Sequence, residues 1–190
     1  ENINSYPIIK NHLNQYKEII TSDFKPYGLH RAREERFFLG EKIISLRKSK
    51  YGCFTYTDFP CYVSQTYYVI KPSNIDLKYL TGLLNSKLIY FWLYHKGKKQ
   101  GEQLQVDKAP LLEIPIVYNG EKEIRAVKEI VEKILQIGNQ IKDVGNSPEI
   151  KNTLRKQQEI YEKQIDNLTY TLYRMDSQEI SIIEDFFRSN

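Results

Sequence analysis

The sequence predicts an α+β protein: a small mixed or antiparallel sheet domain with packed helices over residues 1–118, then an antiparallel, coiled-coil-like helical hairpin with a closing helix over residues 119–190. Three observations predict it. Short β-branched and aromatic runs crowd residues 42–70, and apolar residues recur at helical spacing on either side of them. From residue 124 onward the apolar positions keep a heptad-like rhythm, broken once at Gly145-Asn146-Ser147-Pro148.

Taken in order, Ser5 before Tyr6-Pro7 reads as an N-cap with proline in the first turn. Ile8, Ile9, Leu13, Tyr16, Ile19 and Ile20 extend that helix to about Thr21. Lys42-Ile43-Ile44-Ser45-Leu46, Gly52-Cys53-Phe54-Thr55-Tyr56 and the run from Tyr62 to Ile70 read as an antiparallel meander. Asp76 caps a helix through Leu77, Leu80, Leu83 and Leu84, and the apolar pattern resumes from Leu88 to Leu93, as two core helices or one bent one. Glu113-Ile114-Pro115-Ile116-Val117 reads as an edge strand, because proline cannot donate to a ladder. Ile124, Val127, Val131, Ile134, Gly138 and Ile141 form one arm of the hairpin; Leu154, Tyr161, Ile165, Leu168 and Leu172 form the other. Gly145 stops the first arm, while Ser147 and Pro148 start the second. Asp176 and Glu179, spaced as a capping box, open a short last helix that buries Ile180, Ile183 and Phe187.

Hydrophobic residues make up 41% and charged residues 27%, a balance that folds rather than stays disordered. No apolar run reaches membrane-spanning length and the first residues lack signal-peptide character, so we expect a cytoplasmic protein with no membrane partner. The chain begins at Glu1 without methionine and enters helix-like sequence within four residues, from which we expect it to be cut from a longer polypeptide. Cys53 and Cys61, too few for a disulfide or zinc framework, read as two buried thiols.

The charge is unevenly placed. Residues 1–110 carry 17 Lys and Arg against 10 Asp and Glu, a balance of +7; residues 111–190 carry 11 against 14, a balance of −3. A basic front half points to a polyanion. Within it, His30-Arg31-Ala32-Arg33-Glu34-Glu35-Arg36-Phe37-Phe38 and Arg47-Lys48-Ser49-Lys50-Tyr51 are rich in forked and point cations, which pair with guanine edges and phosphates. A second segment, His95-Lys96-Gly97-Lys98-Lys99-Gln100-Gly101-Glu102-Gln103, reads as a surface loop with lysines for phosphates and glutamines for adenine edges. Taken alone, each segment reads better as a solvated basic surface; the charge asymmetry brings the first of them level with the binding reading.

Catalytic motifs are missing. The loop has no glycine-lysine-Ser/Thr signature, so nucleotide binding is unsupported. Glu34, Glu35, Glu41, Lys42 and Asp58 lack the arrangement of a metal-dependent nuclease. There is neither a glycine-rich cofactor loop nor the aromatic-proline motif of adenine amino methylation, and His12, His30 and His95 have no nucleophilic partner in spacing. We therefore expect no enzyme, no catalytic residue, no metal site and no cofactor in this chain. The 15 tyrosines, several in the predicted meander, read as core and cross-strand pairs rather than base-stacking platforms.

Several segments, in this order, resemble a known family: Tyr6-Pro7-Ile8-Ile9-Lys10-Asn11-His12-Leu13; Leu29-His30-Arg31-Ala32-Arg33 leading to Glu41-Lys42-Ile43-Ile44; Leu83-Leu84-Asn85-Ser86-Lys87-Leu88; Leu111-Leu112-Glu113-Ile114-Pro115-Ile116; and Ile165-Asp166-Asn167-Leu168-Thr169-Tyr170. Together they resemble the TaqI-like C-terminal specificity domain of type IIG restriction-modification enzymes and N6-adenine DNA methyltransferases. The resemblance implies a target-recognition domain that reads double-stranded DNA in the major groove. Catalysis would belong to a methyltransferase domain of the same polypeptide, with or without a nuclease domain. It implies S-adenosylmethionine for that parent protein, with Mg2+ where a nuclease is present, and a spacer role for the hairpin. Together with the charge clusters it leads us to expect Arg31, Arg33, Arg47, Gln100 and Gln103 as base readers, with Arg36, Lys48, Lys50, Lys96, Lys98 and Lys99 on phosphates. The rival reading is a protein-interaction or dimerisation module built on the hairpin.

Overall fold

The computed structural model describes residues 2–19, 33–101, 103–145 and 147–189. The chain divides into two compact units, Glu1–Phe37 and Phe38–Asn190.

In the first unit a single 3-10 turn, Ile3–Ser5, leads into helix α1, Pro7–Asn14. Ser5 is therefore not the cap. Tyr6 takes that position at φ −128° and ψ 69°, outside the helical region and with no side-chain cap, because the residue before proline is driven out of that region. The helix also stops well short of Thr21, itself outside the described residues, and continues through i→i−3 bonds such as Tyr16 N to Leu13 O at 3.0 Å. No α1 residue is buried, and Ile8 is 84% exposed. Helices this short depend on a packed face to propagate, and among the described residues α1 buries none of its own.

The second unit opens with strand β1, Lys42–Leu46, and continues through β2 (Lys48–Ser49), β3 (Phe54–Thr57) and β4 (Tyr67–Ile70). The predicted meander is corrected in its order: β1 lies in the middle, with β3 and β4 antiparallel on either side. The physical reason is burial, since Lys42, Ile43 and Ser45 are the residues of this sheet hidden most completely. Even the Lys42 ammonium is inside, donating to Gly40 O at 3.0 Å and Phe59 O at 2.6 Å.

Helix α2, Leu77–Leu84, covers this sheet. Its N-terminus is capped as predicted, Asp76 Oδ1 accepting from the N–H groups of Lys78 and Tyr79 at 2.9 and 3.0 Å. Two helices, not one bent helix, follow from the pattern at 77–93. α3 (Lys87–Lys96) begins afresh with Ser86 as its N-cap.

The break between α2 and α3 is a joint for the whole unit. Asn85 Nδ2 donates to Phe54 O at 2.7 Å while Asn85 Oδ1 accepts from Phe54 N at 3.1 Å, so the side-chain amide pairs with edge strand β3 as a neighbouring strand would. Ser86 Oγ donates to Leu83 O at 2.7 Å. Lys87 N–H donates to Asp166 Oδ1 at 2.8 Å, and Lys87 Nζ to Glu184 at 2.6 Å.

Strands β5 (Lys98–Gln100) and β6 (Gln103–Gln105) and the short helix α4 (Lys108–Leu112) precede the hairpin. The predicted strand at 113–117 does not form. Pro115 has no N–H for a ladder, and the segment is held instead by two hydroxyls, Tyr79 donating to Val117 O and Tyr173 to Pro115 O. Burial raises the Tyr79 pKa, which keeps that hydroxyl a donor.

The hairpin forms as predicted: α5 spans Glu121–Asp143, Gly145 stops it at φ +58°, and α6 spans Pro148–Leu172 with proline in its first turn. α7, Ser177–Ser189, starts with the predicted box, Glu179 N to Asp176 Oδ1 and Asp176 N to Glu179 Oε2, both at 2.9 Å. It buries Ile183, with Ile180 and Phe187 half-buried. One apolar core joins Ile43 and Phe54 of the sheet, Leu80 and Leu83 of α2, Val127 and Val131 of α5 and Ile165 of α6. Cys53 and Cys61 are half-buried free thiols, rather than fully buried ones. Among the described residues no helix is long and apolar enough to cross a membrane.

Two outcomes follow from this packing. A Cβ on Gly82 would lie 2.6 Å from Val127 Cγ1 and 2.9 Å from Val131 Cγ2, so α2 and α5 approach more closely than alanine permits. Gly82→Ala gains about 1 kcal/mol of helix propensity but overpacks the core by about 1–3 kcal/mol, and should lower the urea midpoint of unfolding. Second, burial pushes the Asp166 carboxyl up to about 6, against the Lys87 N–H and ammonium that lower it. A raised carboxyl pKa favours the fold as pH falls from about 6 towards the ordinary value of 3.8, and costs stability above that window. Asp166→Asn keeps an acceptor for Lys87 N–H and cannot ionise. Thermal melts should show the variant gaining on the native chain between pH 4 and pH 7, and parallel curves would refute the assignment.

Candidate nucleic-acid interface

The segment 95–103, expected as a loop, is a β-hairpin. α3 ends at Lys96, Gly97 N–H closes the last turn on Leu93 O at 2.7 Å, and β5 returns as β6 through Gly101 at φ +62°. β2 adds to the far side, giving a second antiparallel sheet in the order β2-β6-β5. Two basic segments separated in sequence thus share one sheet, with β2 and β5 on either side of β6.

The register sorts their side chains. Ser49, Leu104 and Lys99 form one row across the sheet; Lys48, Gln105 and Lys98 form the next. Leu104 and Val106 are buried, so by the period of a strand Gln103 and Gln105 point the other way, with Lys48 and Lys98 flanking Gln105. Gln100 is the register partner of Gln103. Lys99, on the core-facing row of an edge strand, folds its ammonium over the Tyr94 ring at 3.7 Å.

Asp107 gathers the donors at the end of β6. Its Oδ1 accepts from Gln105 Nε2 at 2.9 Å, with Arg47 Nη2 4.0 Å away, and its Oδ2 lies 3.7 Å from Lys98 Nζ. The Gln105 hydrogen bond first, then Lys98 and Arg47, holds the carboxyl below its ordinary pKa. Arg47 bridges the two sheets: its N–H donates to Thr66 O, its carbonyl accepts from Val106 N–H, and its guanidinium lies over Tyr68 at 5.2 Å.

The expected site residues divide accordingly. Lys48, Lys98 and Gln103 share one exposed sheet with Gln100 in its register, and Arg47 adjoins it as a half-buried, internally partnered cation. Lys50 is exposed and lends its carbonyl to Tyr90 Oη at 2.8 Å; Lys96 is exposed beside Trp92. Arg33 and Arg36 lie exposed in the first unit, Arg36 paired with Glu34 at 2.7 Å and over Phe37. Arg31 lies outside the described residues. Sequence reasoning missed Gln105 and Asp107, although Gln103-Leu104-Gln105-Val106-Asp107 alternates polar and apolar as a half-buried strand does. Among the described residues no group of His, Cys, Asp and Glu could hold a metal ion.

Residues 1–116 match the TaqI-like C-terminal specificity domain family. No curated protein matches. Among solved structures, the chain is similar to the type IIL restriction-modification enzyme MmeI, determined in complex with DNA. The TM-score is 0.67 at 15% identity, over 98% of this chain and 26% of that one, a likeness of fold. This chain therefore spans about a quarter of that enzyme's length.

The placement of β6 against α3 is tight. A Cβ on Gly97 would lie 2.7 Å from Leu93 O and 2.9 Å from Leu104 Cδ1. Gly97→Ala should therefore push the hairpin off its support, at a cost of about 1–3 kcal/mol. Hydrogen exchange should read this as faster exchange confined to residues 98–106; unchanged protection there would count against the packing described.

Proposed function

Because the chain belongs to the TaqI-like C-terminal specificity domain family, we propose that it is the sequence-specific DNA-recognition module of a restriction-modification protein. The observation that carries this reading is a coincidence of extent: the family match over residues 1–116 covers nearly the same residues that hold the +7 balance of the front half. The exposed lysine and glutamine face of β2-β6-β5 supports it, because cations grip phosphates while amides read base edges.

In this proposal residues 1–118 carry the reading face and residues 119–190 form a spacer that packs on other domains. Arg31, Arg33, Gln100 and Gln103 are base readers. Lys48, Lys50, Lys96, Lys98 and Lys99, with Arg36, hold phosphates. Arg47, given its partners, serves best by fixing the join of the two sheets and lending charge from behind the face. Catalysis belongs to a methyltransferase domain outside this chain that takes S-adenosylmethionine and acts on an adenine, with a Mg2+-dependent nuclease where one is present. The protein works in the cytoplasm, on double-stranded DNA.

Binding to a randomised duplex pool, with sequencing of the retained fraction at low and physiological salt, tests this. A motif of a few base pairs is expected, with affinity falling steeply as salt rises. Arg31→Ala/Arg33→Ala should weaken binding without altering the thermal melt. A chain that retains no DNA but forms a stable dimer through α5 and α6 would move the reading to a protein-interaction module.

A further inference from the structure

The following rests on the DNA-recognition reading. We propose that Gln105, oriented by Asp107 between Lys48 and Lys98, reads an adenine in the major groove.

Position is the first argument. Gln105 lies on the central strand of its sheet, and its register neighbours on both sides are lysines. With strands about 4.8 Å apart, the two lysine Cα atoms are separated by about 10 Å, close to the roughly 12 Å width of the major groove. A face of that width set over the groove brings the lysines to its phosphate walls and the central residue over its floor. Lys98, with its side chain 79% exposed, has room to swing from Asp107 to a phosphate.

Chemistry is the second. A glutamine amide has a donor end and an acceptor end, and only an oriented amide discriminates between bases. An ionised carboxylate accepts and cannot donate, so Asp107 Oδ1 at 2.9 Å selects the Nε2 end of Gln105. Lys98 and Arg47 stand by that carboxylate and favour its charged form. One N–H of Gln105 is thereby used. The second N–H and Oε1 remain as a donor and an acceptor side by side. Adenine offers the complement, N7 as acceptor and the N6 amino group as donor; guanine offers two acceptors and leaves Oε1 opposed to O6. Asp107 is thus a positioning residue for Gln105, and the pair distinguishes adenine from guanine.

A clamp that merely ties β6 to α4 would use the same hydrogen bond, so the test reads base preference rather than stability. The 190-residue chain, Gln105→Ala and Asp107→Asn are each passed through selection on the randomised duplex pool and then titrated with the recovered duplex and its single-base replacements. Three results are expected. The native motif contains an adenine whose replacement costs tenfold or more in affinity, on the order of one good base contact. Gln105→Ala loses that preference and no other. Asp107→Asn, which lets the amide present either end, keeps affinity for the native duplex while admitting guanine at that position. As a control on the face, Lys98→Ala should weaken binding to all sequences alike and reduce the salt slope by about one. An unchanged motif for Gln105→Ala, or a native motif without adenine, overturns the assignment while the recognition reading stands. A native chain that recovers no motif overturns both.

Discussion

The edge of the first sheet has a problem that the amide of Asn85 solves. Strand β3 presents Phe54's N–H and C=O away from β1, on the open edge of the sheet beside α2, where no further described strand pairs with it. Asn85 meets both groups with one planar side chain, and uses its remaining Nδ2 hydrogen on Thr81 O at 2.9 Å. That contact ends α2 at the sheet margin. The two residues that follow spread the consequence: Ser86 restarts the helix, and Lys87 reaches Asp166 on α6 and Glu184 on α7. Sheet, core helix, hairpin and last helix are therefore referenced to three consecutive residues. The string Leu83-Leu84-Asn85-Ser86-Lys87-Leu88, which carries the resemblance to the family most specifically, is an architectural element; none of its side chains lies on the basic face.

On the proposed reading the joint matters to recognition, because α3 grows directly from it. Helix α3 buries Ile89 and Leu93 and delivers Lys96, Gly97 and the β5–β6 hairpin at its far end. A base-reading group must be placed within a fraction of an ångström, and strands mounted on a packed helix achieve that where a free loop would not. The internal partners of Arg47 and Asp107 follow the same logic. They hold the sheet face in shape before any ligand arrives, so binding need not order it.

How far the sequence could be followed depended on the range of each interaction. The Asp76 cap, the Asp176–Glu179 box and the stop at Gly145 are settled within four residues of chain, and each was legible. The heptad spacing of α5 and α6 was legible because long helices repeat their signal. Strands β5 and β6, three residues each, are too short to repeat anything, and their lysines and glutamines resemble a surface loop. At residues 113–117 apolar spacing suggested a strand, but Tyr79 and Tyr173, distant in sequence, take the carbonyls that a ladder would have used.

The amino-acid sequence by itself determined the class of the fold, the hairpin, the basic front half and the family, because composition, period and local caps are properties of neighbouring residues. Only the tertiary structure decided that β1 lies between β3 and β4, that residues 48–49 share one sheet with 98–100 and 103–105, and that Gln105 and Asp107 belong with Lys48 and Lys98. The pairing of β2 with β6 joins residues more than 50 apart in the chain, Lys48 with Gln105 and Ser49 with Leu104. Their register is chosen by which side chains the common core can bury, and no local pattern contains that information.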